Sequence, residues 1–253
     1  MHVKRIHLER TGSTNRTLFK LLKSGSVREE VAVIAGYQQH GRGQGDHGWH
    51  SNPGENLLMS LLLFPAFLSA SCQFHLSRVA SLALCDTLKK LKLPGSFNPD
   101  PVIKWPNDIL VGGRKIAGIL IEHGITGSKL SHTIMGIGLN VNQERFPDFP
   151  VEATSLVLEG HARMDLTGVT DSLLESIQIR YSQLESGAFR ALEQEYLEHL
   201  FLLDRPGEYI SGGVKFTGII RGVNEFGELL VERDGKTGSY GFQEIRFVMH
   251  STV

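Results

Sequence analysis

Residues 102–142 run through three extended stretches: VIKW, then DILV joined through GGRK to KIAGILIEH, then SHTIMGIGLNVN. The turns between them are too short for a crossover helix, so these strands have to return antiparallel. No other feature narrows the fold as much. Upstream, VKRIHLER and residues 31–37 read as strands. NLLMSLLLF, at 56–64, is apolar apart from Asn56 and Ser60 and reads as a strand with neighbours on both sides.

Helical signals separate these runs. Ser13 or Thr14 is placed to cap RTLFKLLKSG, which closes at Gly25. Residues 73–91 carry apolar side chains on most faces, as a deeply packed helix does, and LPGSFNPDP then breaks the chain. Helical periodicity returns at 170–184 and 188–200. The polar segment NQERFPDFPVEATS reads as an exposed, mobile loop. After DRPGE the texture changes to short strands with the glycine turns EFGE and RDGKTG. The expectation is an α+β fold: a mixed, largely antiparallel sheet with packed helices over 1–203, and a small antiparallel barrel over 204–253.

Composition removes several function classes. The chain has 253 residues and a net charge of -1, enough length for a large core and no basic surplus for nucleic acid. No apolar run is as long as a membrane span, and the opening MHVKRIHLERTGSTN lacks a signal-peptide core. Cys72 and Cys85 fall within an apolar helical pattern and read as buried thiols, which fits a reducing cytoplasm.

Three motifs carry chemistry. The first, YQQHGRGQGDHGW, sets Gly41, Arg42, Gly43 and Gly45 between two strands. Its backbone N–H groups and arginine fork suit an anion. It is neither a P-loop, since no Lys-Ser/Thr closes it, nor a dinucleotide fingerprint, since a strand rather than a helix follows. The second, KWPNDILVGGRKIAGILIE, gathers Lys104, Asn107, Asp108 and Lys115. Strict alternation would put Lys115, Ala117 and Ile119 on one face and Gly118 on the other, where a ligand can approach the backbone. The third, GIGLNVN, ends an apolar strand on Asn140 and Asn142. His47 and His50 lie among glycines with no partners at zinc spacing, so they read as loop histidines, with no protein-ligated metal expected.

Taken in order, STN at 13–15, YQQHGRGQ, W.S..G.NL..S from Trp49, KWPNDI, RKIAGILIE, GIGLNVN and the late RP resemble a biotin protein ligase along nearly the whole chain. The resemblance implies a class II synthetase-like ligase domain followed by an SH3-like β-barrel. It implies a reaction in which biotin and ATP, with magnesium, give biotinyl-5′-AMP. A lysine of a biotin carboxyl carrier protein then takes the biotinyl group and AMP leaves. Carried residue by residue, the resemblance assigns biotin contacts to Ser13, Thr14, Asn15, Gln38, Arg42, Gly43, Gln44, Lys115 and Gly118. It assigns nucleotide contacts to Arg42, Gln44, Trp49, Lys104, Asn107 and Asn140. Catalysis falls to Arg42, clamping carboxylate and phosphate, Lys115, offsetting their charge, and Asp108, activating the acceptor lysine.

Two departures stand out. Some members carry arginines after GRG and again before the tryptophan, where this chain has Gln44, Gly45, Asp46 and His47. Bifunctional members place a DNA-binding helix-turn-helix ahead of the ligase motifs; here STN begins at Ser13, so a monofunctional enzyme, monomer or homodimer, without DNA or membrane partners is expected. The rival readings are a lipoate or octanoate ligase of the same architecture, a biotin-responsive regulatory protein, and a non-catalytic binding module. The Arg42 loop and KWPND favour biotin, the neutral charge opposes a repressor, and four charged residues are a costly set for binding alone.

Overall fold

The computed structural model describes residues 3–45, 47–91, 100–149 and 151–249. The expected break at LPGSFNPDP falls mostly outside them, as do Asp46 and Pro150.

The larger sheet has seven strands: β1 (Lys4–Leu8), β2 (Val31–Ala35), β3 (Leu57–Leu63), β4 (Val102–Lys104), β5 (Asp108–Val111), β6 (Arg114–Thr126) and β7 (Lys129–Leu139). Their order is β1-β2-β3-β7-β6-β5-β4. Only β1 and β2 run parallel; every other pair is antiparallel, and the meander over 102–142 forms as its short turns require. β3 lies between β2 and β7 with all seven residues buried, the central position its largely apolar run implies.

Helices cover both faces of this sheet. Helix α1 (Thr14–Lys23) packs through Leu18 against Val31, Val33, Leu62 and Ile134. On the other face lie α2 (Phe74–Leu91), α3 (Leu166–Glu185) and α4 (Phe189–Glu198). The period-2 rule then sorts the strand residues. On β7, Met135, Ile137 and Leu139 join the core under α2, while Ile134, Gly136 and Gly138 face the α1 side. On β3, Leu57, Met59, Leu61 and Leu63 point to the core and Ser60 to α1. The α1 side is therefore floored by small residues in register, Ser60 beside Gly136 and Gly118 beside Gly138. A hollow forms where large side chains are missing.

The second sheet, β8 (Pro206–Ser211), β9 (Val214–Val223), β10 (Leu229–Arg233), β11 (Lys236–Tyr240) and β12 (Arg246–Phe247), is antiparallel throughout, in the order β11-β10-β9-β8-β12. It does not stand apart. Tyr209, Ile220, Leu229 and Val231 share one apolar core with Phe74, Trp105 and Tyr196, and the Trp105 indole N–H donates to Gly227 O at 2.9 Å. The segment expected to be an exposed loop is only partly so. Asn142, Gln143, Thr154 and Ser155 are buried, because Gln143 Oε1 accepts from Asn52 N and Asn56 Nδ2, and Asn142 exchanges two bonds with the Met164 backbone. The exposed part begins at Glu144.

Candidate active site

A cavity of about 760 Å³ opens over the glycine floor and is lined by every candidate site residue named above: Arg42, Lys115 and Asp108 together with Ser13, Thr14, Asn15, Gln38, Gly43, Gln44, Trp49, Lys104, Asn107, Gly118 and Asn140. Residues more than 90 positions apart meet because α1, the glycine loop and β6 converge on one face.

At the closed end, Ser13 occupies the N-cap position of α1 but its hydroxyl makes no capping bond. The first helical N–H is taken instead by Gln38, whose Oε1 accepts from Thr14 N at 2.7 Å and from the Thr14 hydroxyl at 3.1 Å. The Ser60 hydroxyl lies 2.6 Å from Thr14 Oγ1 and 2.5 Å from Asn15 Oδ1 and can donate to either. Asn15 Nδ2 donates to Leu120 O at 3.3 Å and to Glu122 Oε2 at 2.8 Å, and the other Glu122 oxygen accepts from Arg42 Nη1 at 2.9 Å. Hydroxyls and amides thus form a wall whose one charged pair is internally neutralised.

The opposite end carries free charge. Lys115 Nζ sits 2.6 Å from Asp108 Oδ1, and Lys104 Nζ 3.6 Å from Asp108 Oδ2, so two ammoniums share one carboxylate. Burial pushes the Lys104 ammonium below its usual range, with Asp108 pulling upward and Lys115 adding to the depression. Its Nζ also stands 5.0 Å from the centre of the Phe247 ring. Asn107 Nδ2 donates to Ile119 O at 2.8 Å and its own carbonyl accepts from Ile119 N, so its amide nitrogen is spent on holding the turn before β5 to β6.

Gly118 and Lys115 face the same way, contrary to strict alternation. The register slips between Ile109 and Leu110, opposite Ala117 and Lys115, so β6 is bulged at Ile116. A bulge re-aims the side chain beside it. The Lys115 backbone pairs there with the 152–154 segment, and its Nζ lies 3.4 Å from where a Gly118 Cβ would stand. The space above Gly118 and Gly138 holds the Trp49 indole: a Cβ on Gly118 would come 2.9 Å from Trp49 Cζ3, and one on Gly138 would overlap the ring. Lys115 Nζ rests 5.6 Å from the centre of that ring.

Among the described residues lining the cavity, two buried polar atoms have no hydrogen-bond partner: Trp49 Nε1, a donor, and Asn140 Oδ1, an acceptor whose Nδ2 already donates to Thr154 O. The Arg42 guanidinium is held by Glu122, which stands seven residues along β6 from Lys115. Among the described residues no three His, Cys, Asp or Glu side chains are grouped to hold a metal ion.

Sequence reading missed Ser60, Glu122 and the second sheet's share of the lining, Gly212, Phe242 and Phe247 among it. Ser60 was visible as the one hydroxyl inside an apolar run, and Glu122 closes the KIAGILIE motif. Nothing local marks Phe247.

Comparison with known proteins agrees with this geometry. A model of the biotin/lipoate A/B protein ligase family matches residues 7–140. A biotin–[acetyl-CoA-carboxylase] ligase of Mycobacterium tuberculosis is 30% identical, over 90% of this chain and 82% of its own. The bifunctional ligase/repressor BirA of Bacillus spizizenii is 31% identical, over 90% of this chain and 69% of its own. The solved biotin protein ligase of Aquifex aeolicus in complex with biotin and ATP matches with a TM-score of 0.77 at 26% identity, covering 96% of this chain and 98% of that one.

Proposed function

The chain belongs to the biotin/lipoate A/B protein ligase family, and we propose that this cavity carries out both half-reactions of protein biotinylation. The enzyme ligates biotin to a lysine of a biotin carboxyl carrier protein, consuming ATP through biotinyl-5′-AMP. A carboxylate oxygen of biotin attacks the α-phosphorus of ATP, the bond to the β-phosphate breaks, and pyrophosphate leaves. The amine of the acceptor lysine then attacks the acyl carbon, the bond to AMP breaks, and the amine loses a proton.

The polarity of the cavity carries the assignment of parts. Biotin's ureido ring needs donors and acceptors away from water, and the Ser13, Thr14, Asn15 and Gln38 wall offers both without net charge. The dithiolane of lipoate has no donor or acceptor to meet the Ser13 hydroxyl, which makes no capping bond, so the wall favours biotin over it. Biotin's carboxylate then points toward Lys104 and Lys115, whose combined charge exceeds that of Asp108. Lys115 offsets charge as carboxylate and α-phosphate combine. Asp108 would orient the incoming neutral amine of the acceptor lysine and take the proton that the amine loses on attack. Gly43 and Gln44 border the ligand from the glycine loop, and Lys104 and Asn140 serve the nucleotide, Asn140 through its open Oδ1. Asn107 serves it by fixing the turn that carries Asp108. Arg42 acts on biotin through the loop it anchors. Magnesium would enter on the phosphates of ATP, ligated by their oxygens and water.

Exchange of labelled pyrophosphate into ATP tests the reading. Biotin should support it, and lipoate and octanoate should not. Exchange driven by lipoate and not by biotin would overturn the assignment.

A further inference from the structure

Glu122 lies outside the cavity lining, yet it ties together three elements that form the closed end. Its Oε1 accepts from Arg42, in the middle of the glycine loop, and its Oε2 accepts from Asn15, in the first turn of α1. The Asn15 side chain also reaches Leu120 O on β6 and the Ser60 hydroxyl on β3. The loop is otherwise tied down at its two ends, by Gln39 N and His40 N donating to Thr11 O and Gly12 O and by the Trp49 indole resting on Gly118 and Gly138, so Glu122 is its contact at the middle, on Arg42. Its own bonds are internal, with Gly43 N donating to His47 O at 2.7 Å and Trp49 N to Gly41 O at 2.9 Å. The position is also set by the strand: Gly118, Leu120 and Glu122 alternate onto the cavity side of β6, so the carboxylate emerges in line with the floor.

We propose that Glu122 is a positioning residue that clamps the glycine loop to α1 and so pre-forms the biotin end of the cavity. This rests on the biotin reading above. Each carboxylate oxygen holds one partner, so the clamp closes only while both contacts are made. Its charge matters on the Arg42 side, where the bond is an ion pair; the Asn15 side needs an acceptor only. Glutamine at this position keeps one carbonyl acceptor and loses the charge, so it can satisfy Asn15 or Arg42 but not both. Because the clamp lies far along β6 from Lys115 and Lys104, loosening it should weaken biotin without touching ATP.

The test uses Glu122→Gln, Glu122→Asp and Arg42→Met in the full chain. Loss of a charge-assisted contact, discounted for its partial exposure to solvent, gives about a tenfold rise in the KM for biotin in the Glu122→Gln enzyme. The KM for ATP should stay within about twofold, since no bond to the Lys104–Lys115 end is lost, and Glu122→Asp, which keeps the charge, should recover part of the defect. In a double-mutant cycle Arg42→Met should have less effect in the Glu122→Gln background than alone. Hydrogen exchange without substrate should show faster exchange at the Gly43 and Trp49 amides in Glu122→Gln. The inference is overturned if biotin KM is unchanged, if biotin and ATP KM rise together as in general destabilisation, or if the two substitutions are additive. Absence of biotin-dependent exchange in the wild-type enzyme would overturn the functional reading instead, and the amide measurement would still decide the clamp.

Discussion

The two ends of the cavity are built from different materials. The end made by Ser13, Thr14, Asn15 and Gln38 is neutral and nearly saturated with hydrogen bonds, with all but the half-buried Gln38 buried, and its one charged pair, Arg42 with Glu122, is closed on itself. The end made by Lys104, Asp108 and Lys115 has more positive charge than it can pair, and its ammoniums rest against the rings of Phe247 and Trp49. A saturated neutral wall recognises shape and hydrogen-bonding pattern; it does little for a transition state whose charge is moving. An unbalanced cluster does the opposite. In this account recognition and chemistry occupy separate ends of one groove, joined by a glycine floor that keeps the path between them open.

The sharpest way to break that division is at Lys115. Lys115→Ala should slow biotinyl-AMP formation by about 10²-fold or more, as removal of a preorganised charge from a transition state commonly does. Single-turnover quench measurements read this, and a near wild-type rate would take Lys115 out of the mechanism. Gln38→Ala attacks the other end. It strips the acceptor from two Thr14 donors, and leaving buried donors unpaired should raise the KM for biotin about thirtyfold while the KM for ATP holds. A smaller effect is expected at Gln44, where some relatives carry arginine. A charge added to the glycine loop should tighten hold on the adenylate, so Gln44→Arg should slow biotinyl-AMP release about tenfold. Equal off-rates, measured by dilution of the preloaded enzyme, would show that Gln44 does not set retention.

The smallest effect separates the ends by pH. His123, next to Glu122, is pushed down to about 4 by burial, with the charge of His132 adding to the shift. Between about 6.5 and 4 the unfolded chain takes up a proton that folded His123 refuses. Its contribution is therefore intact above about 6.5 and lost as pH falls toward 4, a change of about 1–2 kcal/mol once its partial exposure is allowed for. Denaturant unfolding at pH 7 and pH 5 reads it. The loss should shrink in His123→Asn, and an unchanged pH dependence in that variant would remove His123 as the cause.

Local pattern carried most of the fold. The antiparallel meander followed from its turn lengths, the central strand from a seven-residue run apolar at all but Ser60, and α2 from a helix apolar on nearly all sides. All the candidate site residues line one cavity because the motifs that hold them lie at strand ends and in the glycine loop, which the sheet brings together. What escaped was non-local or depended on one irregularity. A single-residue bulge at Ile116 turns Lys115 onto the face of Gly118, and alternation alone puts it on the other side. Ser60 and Glu122 gain their roles only from partners 45 to 107 positions away, and Phe247 only because a second sheet docks against Lys104. Gly118 in the sequence marks room for a ligand, and the structure fills the space above it and Gly138 first with Trp49.

The central claim, that one end recognises and the other reacts, is tested most directly by single-turnover rates of biotinyl-AMP formation at saturating biotin and ATP in two variants. Gln38→Ala should recover essentially the wild-type rate once saturated, because its loss is one of binding shared by ground and transition states. Lys115→Ala should stay about 10²-fold slow at any substrate concentration, because its loss is confined to the transition state. A Gln38→Ala enzyme that remains as slow as Lys115→Ala at saturation would contradict the division.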